Sequence, residues 1–155
     1  MKSSYLLPHK YKPLGWILLG LGLVSGIAML ANGYESDLLT IKVLAIYNDI
    51  SLLGNETVWF SVQENSIIDE LTAIFIIIGG LIVGFSKEKI EDEFIYKLRT
   101  ESLVWALIVN YIILLFTIIF FYDLMFFHVM VFNMFTPILF FIIRFNFLKI
   151  KSSKL

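Results

Sequence analysis

The chain has 155 residues, a formal net charge of -1 and no cysteine, and 59% of its residues are hydrophobic. A soluble domain of this size cannot bury so large an apolar share, so the composition indicates an integral membrane protein. Nucleic-acid-binding proteins are usually strongly basic, whereas this chain has a net charge close to zero, so we expect no nucleic-acid partner. The absence of cysteine excludes disulfides, thiolate metal sites and cysteine nucleophiles.

Four apolar stretches have the length of a membrane span, which is about 20 residues at about 1.5 Å per residue. They predict transmembrane helices over residues 14–33, 67–85, 103–121 and 124–143. The expected fold class is therefore an all-α membrane protein, a four-helix bundle forming a single domain over residues 1–155. The first stretch could instead be a signal peptide, since lysines precede it and Gly26-Ile27-Ala28 resembles a cleavage site. Its length favours a retained span.

The basic residues predict the orientation of the spans. All but one of the 12 lysines and arginines lie in the N-terminal segment, in the loop 86–102 or in the C-terminal tail. With four spans these three segments share one side, which the positive-inside rule makes cytoplasmic. We therefore expect a multi-pass plasma-membrane protein with both termini in the cytoplasm. Lys42 is the only basic residue left on the outer side, which is otherwise acidic.

The outer segment, residues 34–66, has the composition of a β-hairpin. β-branched and aromatic residues dominate Leu39–Tyr47 and Thr57–Val62, and turn formers such as Gly54-Asn55 lie between them. A two-stranded hairpin is marginally stable by itself. We expect it to lie on the membrane surface, to pack on the helix ends or to pair with another chain.

Acidic residues stand at the outer boundary of the second span. One interpretation is structural: Ser66 to Asp69 has the form of a capping box, and Asp69 and Glu70 complement the helix dipole. The other is functional, because His128, about one turn into the fourth span, and Lys42 could meet both acids there. The four residues would then form a proton- or cation-responsive cluster.

Polar residues also occur inside the third and fourth spans. They are Asn110, Asn133 and Thr136, followed by Pro137. Such groups commonly hydrogen-bond between helices, and Pro137 cannot donate the bond that would reach the Asn133 carbonyl, so a kink is expected there. A kinked polar midpoint is also how transporters form a site.

Two glycine pairs predict close helix packing. Gly22 and Gly26 in the first span, and Gly80 and Gly84 in the second, are each four residues apart. This spacing lets helix backbones approach each other within a membrane. The first helix should pack on the second helix or on a copy of itself.

The inner loop, residues 86–102, has the pattern of an amphipathic helix that runs into the third span. Apolar residues recur at helical spacing, and Ser86 could cap its acidic N-terminal end. The loop is then either a solvated connector or a docking face for a cytoplasmic partner. The candidate docking residues are Glu91, Asp92 and Arg99.

One segment resembles known sequences. Residues Phe85 to Ala106, followed by Val109-Asn110-Tyr111, resemble a segment of uncharacterised small inner-membrane proteins of Bacteroidota, and the Ile, Phe, Lys and Asn bias fits such a source. The resemblance implies a membrane location and the architecture described above. It implies no function and no functional residue.

The sequence contains no motif for hydrolysis, nucleotide binding or metal ligation. We therefore expect no enzyme activity, no cofactor and no metal. The expected role is that of a subunit or an accessory or sensory component of a membrane complex, in contact with the lipid bilayer and with copies of itself or another membrane protein. The alternative is a small oligomeric transporter or channel subunit.

Overall fold

The computed structural model describes residues 5–31, 39–49 and 57–152. Within these ranges the chain forms five α-helices and one two-stranded antiparallel sheet. The helices are α1 (Lys12–Ala31), α2 (Ile68–Phe85), α3 (Glu93–Phe120), α4 (Asp123–Asn133) and α5 (Thr136–Ser152), and a short 3-10 helix (His9–Tyr11) precedes α1. The strands are β1 (Thr40–Asp49) and β2 (Thr57–Ser66).

Helices long and apolar enough to cross a membrane are present, as the composition indicated. In the described ranges they are α1 with its preceding 3-10 helix, α2 and α3. The shorter α4 and α5 form a fourth candidate span when the pair, bent by 44° at its break, counts as one. We call the end that carries β1, β2 and the α3–α4 turn the hairpin end. The opposite end, with residues 5–12, 86–92 and the last turns of α5, is the basic end.

Glycines bring the backbones of α1 and α2 into contact. A methyl group on Gly22 would lie 2.8 Å from the backbone nitrogen of Ile76, and one on Gly79 would lie 2.9 Å from the Cα of Leu19. Gly26 is less crowded, since its methyl group would lie 3.5 Å from Thr72 Cγ2. The first helix therefore packs on the second, and Gly22 contributes more to this contact than Gly26.

The second predicted glycine pair faces a different helix. A methyl group on Gly80 would lie 2.9 Å from the Ile138 side chain, and one on Gly84 would lie 2.5 Å from the ring of Phe141. Both partners belong to α5. The two glycine pairs thus do not pack on each other, because α2 presents Gly79 to α1 and the neighbouring face to α5.

The amphipathic helix predicted from Ser86 begins later. Residues 86–92 are not helical, and α3 begins at Glu93 with Asp92 as its N-cap. The Asp92 carboxylate accepts a hydrogen bond from the Ile95 backbone N–H at 2.8 Å. Ser86 is extended because its neighbours Phe85 and Lys87 are hydrogen-bonded to Leu7. The expectation that Ser86 caps this helix is therefore wrong.

The predicted kink coincides with the break between α4 and α5. Proline cannot donate a backbone hydrogen bond, and the helix is interrupted at Met134 and Phe135, just before Pro137. The Thr136 hydroxyl donates to the Phe132 carbonyl at 3.1 Å across the break, and the Phe135 N–H donates to the same carbonyl at 3.1 Å. The bend of 44° inclines α4 away from the direction of α5.

The predicted hairpin is present and continues directly into α2. Thr40 lies opposite Ser66 and Asp49 opposite Thr57, so the ladder runs from end to end of both strands and is interrupted at Ile46 and Phe60, where φ of Phe60 is 56°. The Ile67 N–H donates to the Leu39 carbonyl at 3.2 Å, and α2 begins at the next residue. The predicted turn at Gly54-Asn55 lies outside the described residues.

Candidate functional sites at the two ends of the helices

The N-terminal segment crosses the basic end beside the loop that follows α2. The Leu7 N–H donates to the Phe85 carbonyl at 2.9 Å, and the Lys87 N–H donates to the Leu7 carbonyl at 2.8 Å. A ring nitrogen of His9 lies 2.9 Å from the Lys87 carbonyl oxygen. These bonds hold the first turn of α1 against the loop, which places Lys12 in the interior.

Two lysines from opposite ends of the chain bind one carboxylate in this interior. Lys12 donates to Glu88 Oε1, and Lys149 Nζ lies 3.2 Å from the same oxygen. The side chains of Lys12 and Glu88 are only 8% and 10% exposed. The ion pairs join α1, the α2–α3 loop and α5.

A second buried pair lies beside the first. Arg99 donates from Nη1 to Glu91 Oε1 at 2.6 Å and from Nη2 to Glu91 Oε2 at 3.1 Å, a two-point contact. Nη2 also lies 3.2 Å from the Ser86 carbonyl oxygen. Arg99 is 5% exposed, so it does not belong to an exposed docking face as we expected. Of the three candidate docking residues, Asp92 is exposed, and it caps α3.

The ring of Phe145 forms the floor of this cluster. Lys12 Nζ and Lys149 Nζ each lie 5.9 Å from the ring centroid, and the Arg99 guanidinium carbon lies 5.2 Å from it. We call these six residues the basic-end cluster: Lys12, Glu88, Glu91, Arg99, Phe145 and Lys149. It holds three cations against two carboxylates and an aromatic face, an arrangement that ties chain segments together.

Sequence reasoning did not find the basic-end cluster. It treated the lysines as markers of membrane orientation and Glu88 as part of an acidic helix start. Hydropathy and charge patterns are local, whereas Lys12, Glu88 and Lys149 are brought together by three separate segments. The available signal was weak: a lysine and an acidic residue at the same predicted membrane boundary.

The pKa of Glu88 predicts acid sensitivity. Burial by itself raises this pKa, but the hydrogen bonds and charges of Lys12 and Lys149 together outweigh burial and hold the pKa of the Glu88 carboxyl below its usual value. A lowered pKa contributes stability above the unfolded-state value of about 4.3, and this stability is lost as pH falls through the lower folded-state pKa. The melting temperature of the detergent-solubilised protein should therefore drop below about pH 4. In Glu88→Gln this acid limb should flatten, and an unchanged limb would contradict the assignment to Glu88.

A cavity of about 450 Å³ lies at the hairpin end between α1, α2 and α4. It exists because α4 does not pack closely there: within the described part of the chain α4 has no fully buried residue. The lining is mainly apolar. Its apolar members are Gly26, Met29, Leu30, Ala73, Phe127, Val131, Phe132, Met134 and Phe135.

Three of the four residues predicted to meet at this boundary line the cavity. They are Asp69, Glu70 and His128. The Asn65 amide donates to Glu70 Oε1 at 2.8 Å, and a ring nitrogen of His128 lies 2.7 Å from the Leu124 carbonyl oxygen. The fourth residue, Lys42, lies in β1 opposite Glu64 and does not line the cavity.

The predicted capping box at the start of α2 is not formed as expected. Ile67, and not Ser66, occupies the N-cap position, and it makes no side-chain cap, so Ser66 stands one residue before the cap and Asp69 lies in the first turn. Asp69 and Glu70 still complement the positive end of the helix dipole.

The polar residues inside α3 and α4 are engaged in helix packing. Asn133 donates to Asn110 Oδ1 at 3.0 Å, and Asn110 donates to Asn133 Oδ1 at 3.3 Å. Two reciprocal bonds satisfy these amides between helices. None of the four predicted midpoint residues lines the cavity. They are Asn110, Asn133, Thr136 and Pro137.

The described residues contain no group of three His, Asp or Glu side chains that could hold a metal ion. Comparison with protein-family models finds no match to this chain, and comparison with curated proteins and with solved structures finds none either.

Proposed function

We propose that this chain is a four-span plasma-membrane protein with a non-catalytic role, acting as a subunit or accessory component of a membrane complex. The observation that carries this proposal is the uncovered apolar face of the β1–β2 hairpin. The proposed partner is another membrane protein with a segment on the outer side of the membrane.

The orientation in this proposal rests on charge. The basic end holds Lys12, Lys87, Arg99 and Lys149, whereas the hairpin end holds Asp69, Glu70 and Asp123. Basic residues are retained on the cytoplasmic side of membranes. We therefore infer that the basic end is cytoplasmic and that the hairpin lies outside.

The hairpin exposes apolar side chains, and an isolated hairpin with such a surface is not stable in water. Leu44 and Val62 lie opposite each other in the ladder, and Ile46 follows Leu44 on the same face. Their exposed fractions are 64%, 67% and 61%. A two-stranded sheet is marginally stable in water, and its two free edges offer unpaired backbone groups to another chain. Covering this face would stabilise the hairpin and give it a function.

Charge favours a protein partner over the lipid surface. The outer segment, residues 34–66, carries Glu35, Asp37, Asp49, Glu56 and Glu64 against Lys42 alone. An acidic segment is repelled by anionic headgroups, whereas lipid-binding surfaces are rich in lysine and arginine. A partner protein can supply both an apolar surface and a complementary charge.

Site-specific photo-crosslinking in the native membrane tests this proposal. A photoreactive residue at Leu44 or Val62 should form an adduct with one other protein, since both side chains stand on the uncovered face. A photoreactive residue at Ala45, which neighbours Leu44 and points to the opposite face of the hairpin, reports whether the partner contacts that face as well. Leu44→Asp combined with Val62→Asp should abolish both the adduct and co-purification of the partner while leaving membrane insertion unchanged. Adducts with lipid only, or with a second copy only, would contradict an accessory role.

The transporter or channel alternative has less support. It needs polar residues along a path between the two ends, and the candidates inside the helices were Asn110, Asn133 and Thr136, with the kink at Pro137. These two amides hydrogen-bond to each other. His128 lies apart from them, in the cavity at the hairpin end.

A further inference from the structure

We propose that the cavity at the hairpin end binds a hydrophobic cation, a molecule with an apolar body and one positive charge that lies beside Asp69 and Glu70. This inference is independent of the partner that the hairpin contacts. It assigns a ligand class to a site formed by α1, α2 and α4.

The size and lining of the cavity suit a small apolar molecule. Its volume of about 450 Å³ falls within the range of small-molecule sites, which are mostly apolar and carry a few polar groups. Met29 and Met134 supply flexible side chains that adapt to an irregular guest. The space lies beside α4, which has no fully buried residue in the described part of the chain and meets α5 at a bend of 44°.

The charge of the lining selects the sign of the guest. Asp69 and Glu70 both line the cavity, and among the described residues no lysine or arginine does. The other titratable lining residue is His128, whose ring nitrogen is already close to the Leu124 carbonyl oxygen. The two carboxylates outnumber the single histidine, so the lining carries more acidic than basic groups and favours a cation over an anion.

The aromatic residues favour an organic cation over a metal ion. Phe127, Phe132 and Phe135 line the cavity, and the faces of such rings attract weakly hydrated organic cations. Calcium needs six to eight oxygen ligands. Magnesium needs octahedral coordination by oxygen and usually keeps several of its waters. A mainly apolar cavity with two carboxylates at one side matches neither requirement.

The test uses the purified full chain in nanodiscs of zwitterionic lipid, with radiolabelled tetraphenylphosphonium as the probe. Binding to empty nanodiscs is subtracted, which removes partition into lipid. We expect saturable binding of tetraphenylphosphonium and none of tetraphenylborate, which has the same shape and the opposite charge. Saturable binding of both probes, or of neither, would overturn the proposal.

Variants separate the charge of the cavity from its shape. Asp69→Asn combined with Glu70→Gln should weaken binding about tenfold or more, because the carboxylates supply the attraction. The matched control is Asp123→Asn, an exposed acid at the same end of the helices that does not line the cavity, and it should bind as the parent does. Equal losses in both would overturn the assignment.

A third variant tests the cavity while retaining both acids. Ala73 lines the cavity, and Ala73→Phe should occupy its space and weaken binding to a similar degree. Each variant is accepted only if its elution and melting temperature match those of the parent. Undiminished binding in Ala73→Phe would place the probe elsewhere and overturn the proposal.

Discussion

Replacing Glu88 by Gln should lower the free energy of unfolding by about 3–5 kcal/mol, the range for breaking a buried ion pair from one side. The reason is that Lys12 and Lys149 both donate to this carboxylate. Without it, the ammonium group of Lys12 stays in a largely buried position with no opposing charge close by. The measurement is unfolding of the purified protein in mixed detergent, followed by circular dichroism.

The chain offers an exposed ion pair as the matched control for this prediction. Lys97 Nζ lies 3.9 Å from Glu101 Oε1 on α3, and the two side chains are 75% and 56% exposed. Because solvent screens such pairs, Glu101→Gln should leave the stability almost unchanged. Equal effects of Glu88→Gln and Glu101→Gln would show that burial does not strengthen the basic-end cluster.

Replacing Gly79 by Ala should destabilise the protein by about 1–3 kcal/mol, as overpacking of a well-packed interior does. The added methyl group would lie 2.9 Å from the Leu19 Cα and 3.0 Å from the Gly15 carbonyl oxygen. Both are backbone atoms, which cannot move aside as the end of a flexible side chain can. The helices α1 and α2 would have to separate, and thermal unfolding in detergent measures the cost.

The opposite effect on stability is expected for alanine at Gly20, which lies in α1. A methyl group at Gly20 would have no atom within 4 Å. Because alanine loses less backbone entropy than glycine in a helix, Gly20→Ala should leave the stability unchanged or raise it slightly. A destabilisation in Gly20→Ala as large as that in Gly79→Ala would mean that helix flexibility, not close packing, requires the glycines.

The two ends of the helices differ in how tightly they are held. At the basic end Arg99, Glu88 and the N-terminal segment form a network of ion pairs and backbone bonds. At the hairpin end, α4 leaves an open cavity beside α1 and α2. Buried ionic contacts resist separation, whereas a loosely packed helix can move at little cost. We therefore expect ligand-dependent movement to be confined to α4, with the basic end fixed.

Several local features were predicted well from sequence, since each depends on neighbouring residues. Apolar runs predicted the candidate spans, β-branched segments predicted β1 and β2, and Pro137 predicted the position of the bend. Asp69, Glu70 and His128 line one cavity, and all three stand near the same boundary of their helices. Lys42 was included on the same reasoning, but the hairpin places it opposite Glu64.

The errors concern contacts that depend on how helices rotate and pair. The sequence did not say which helix Gly80 and Gly84 pack on, and the structure places both against α5 while Gly79 faces α1. Arg99 looked like a surface residue in a charged loop, yet it is buried against Phe145 and Glu91. The start of α3 was placed too early, because the sequence does not show that Leu7 pairs with the residues around Ser86.

The sequence by itself determined that this is an apolar helical protein with a hairpin and a strongly one-sided distribution of basic residues. Those properties follow from composition and from periodicity along the chain, which need no knowledge of distant contacts. Only the tertiary structure decided that Lys12, Glu88 and Lys149 share one buried site and that an acidic-rimmed cavity lies beside α4. Both depend on the packing angles of segments far apart in sequence, since small rotations of a helix decide which side chains meet and where a gap remains.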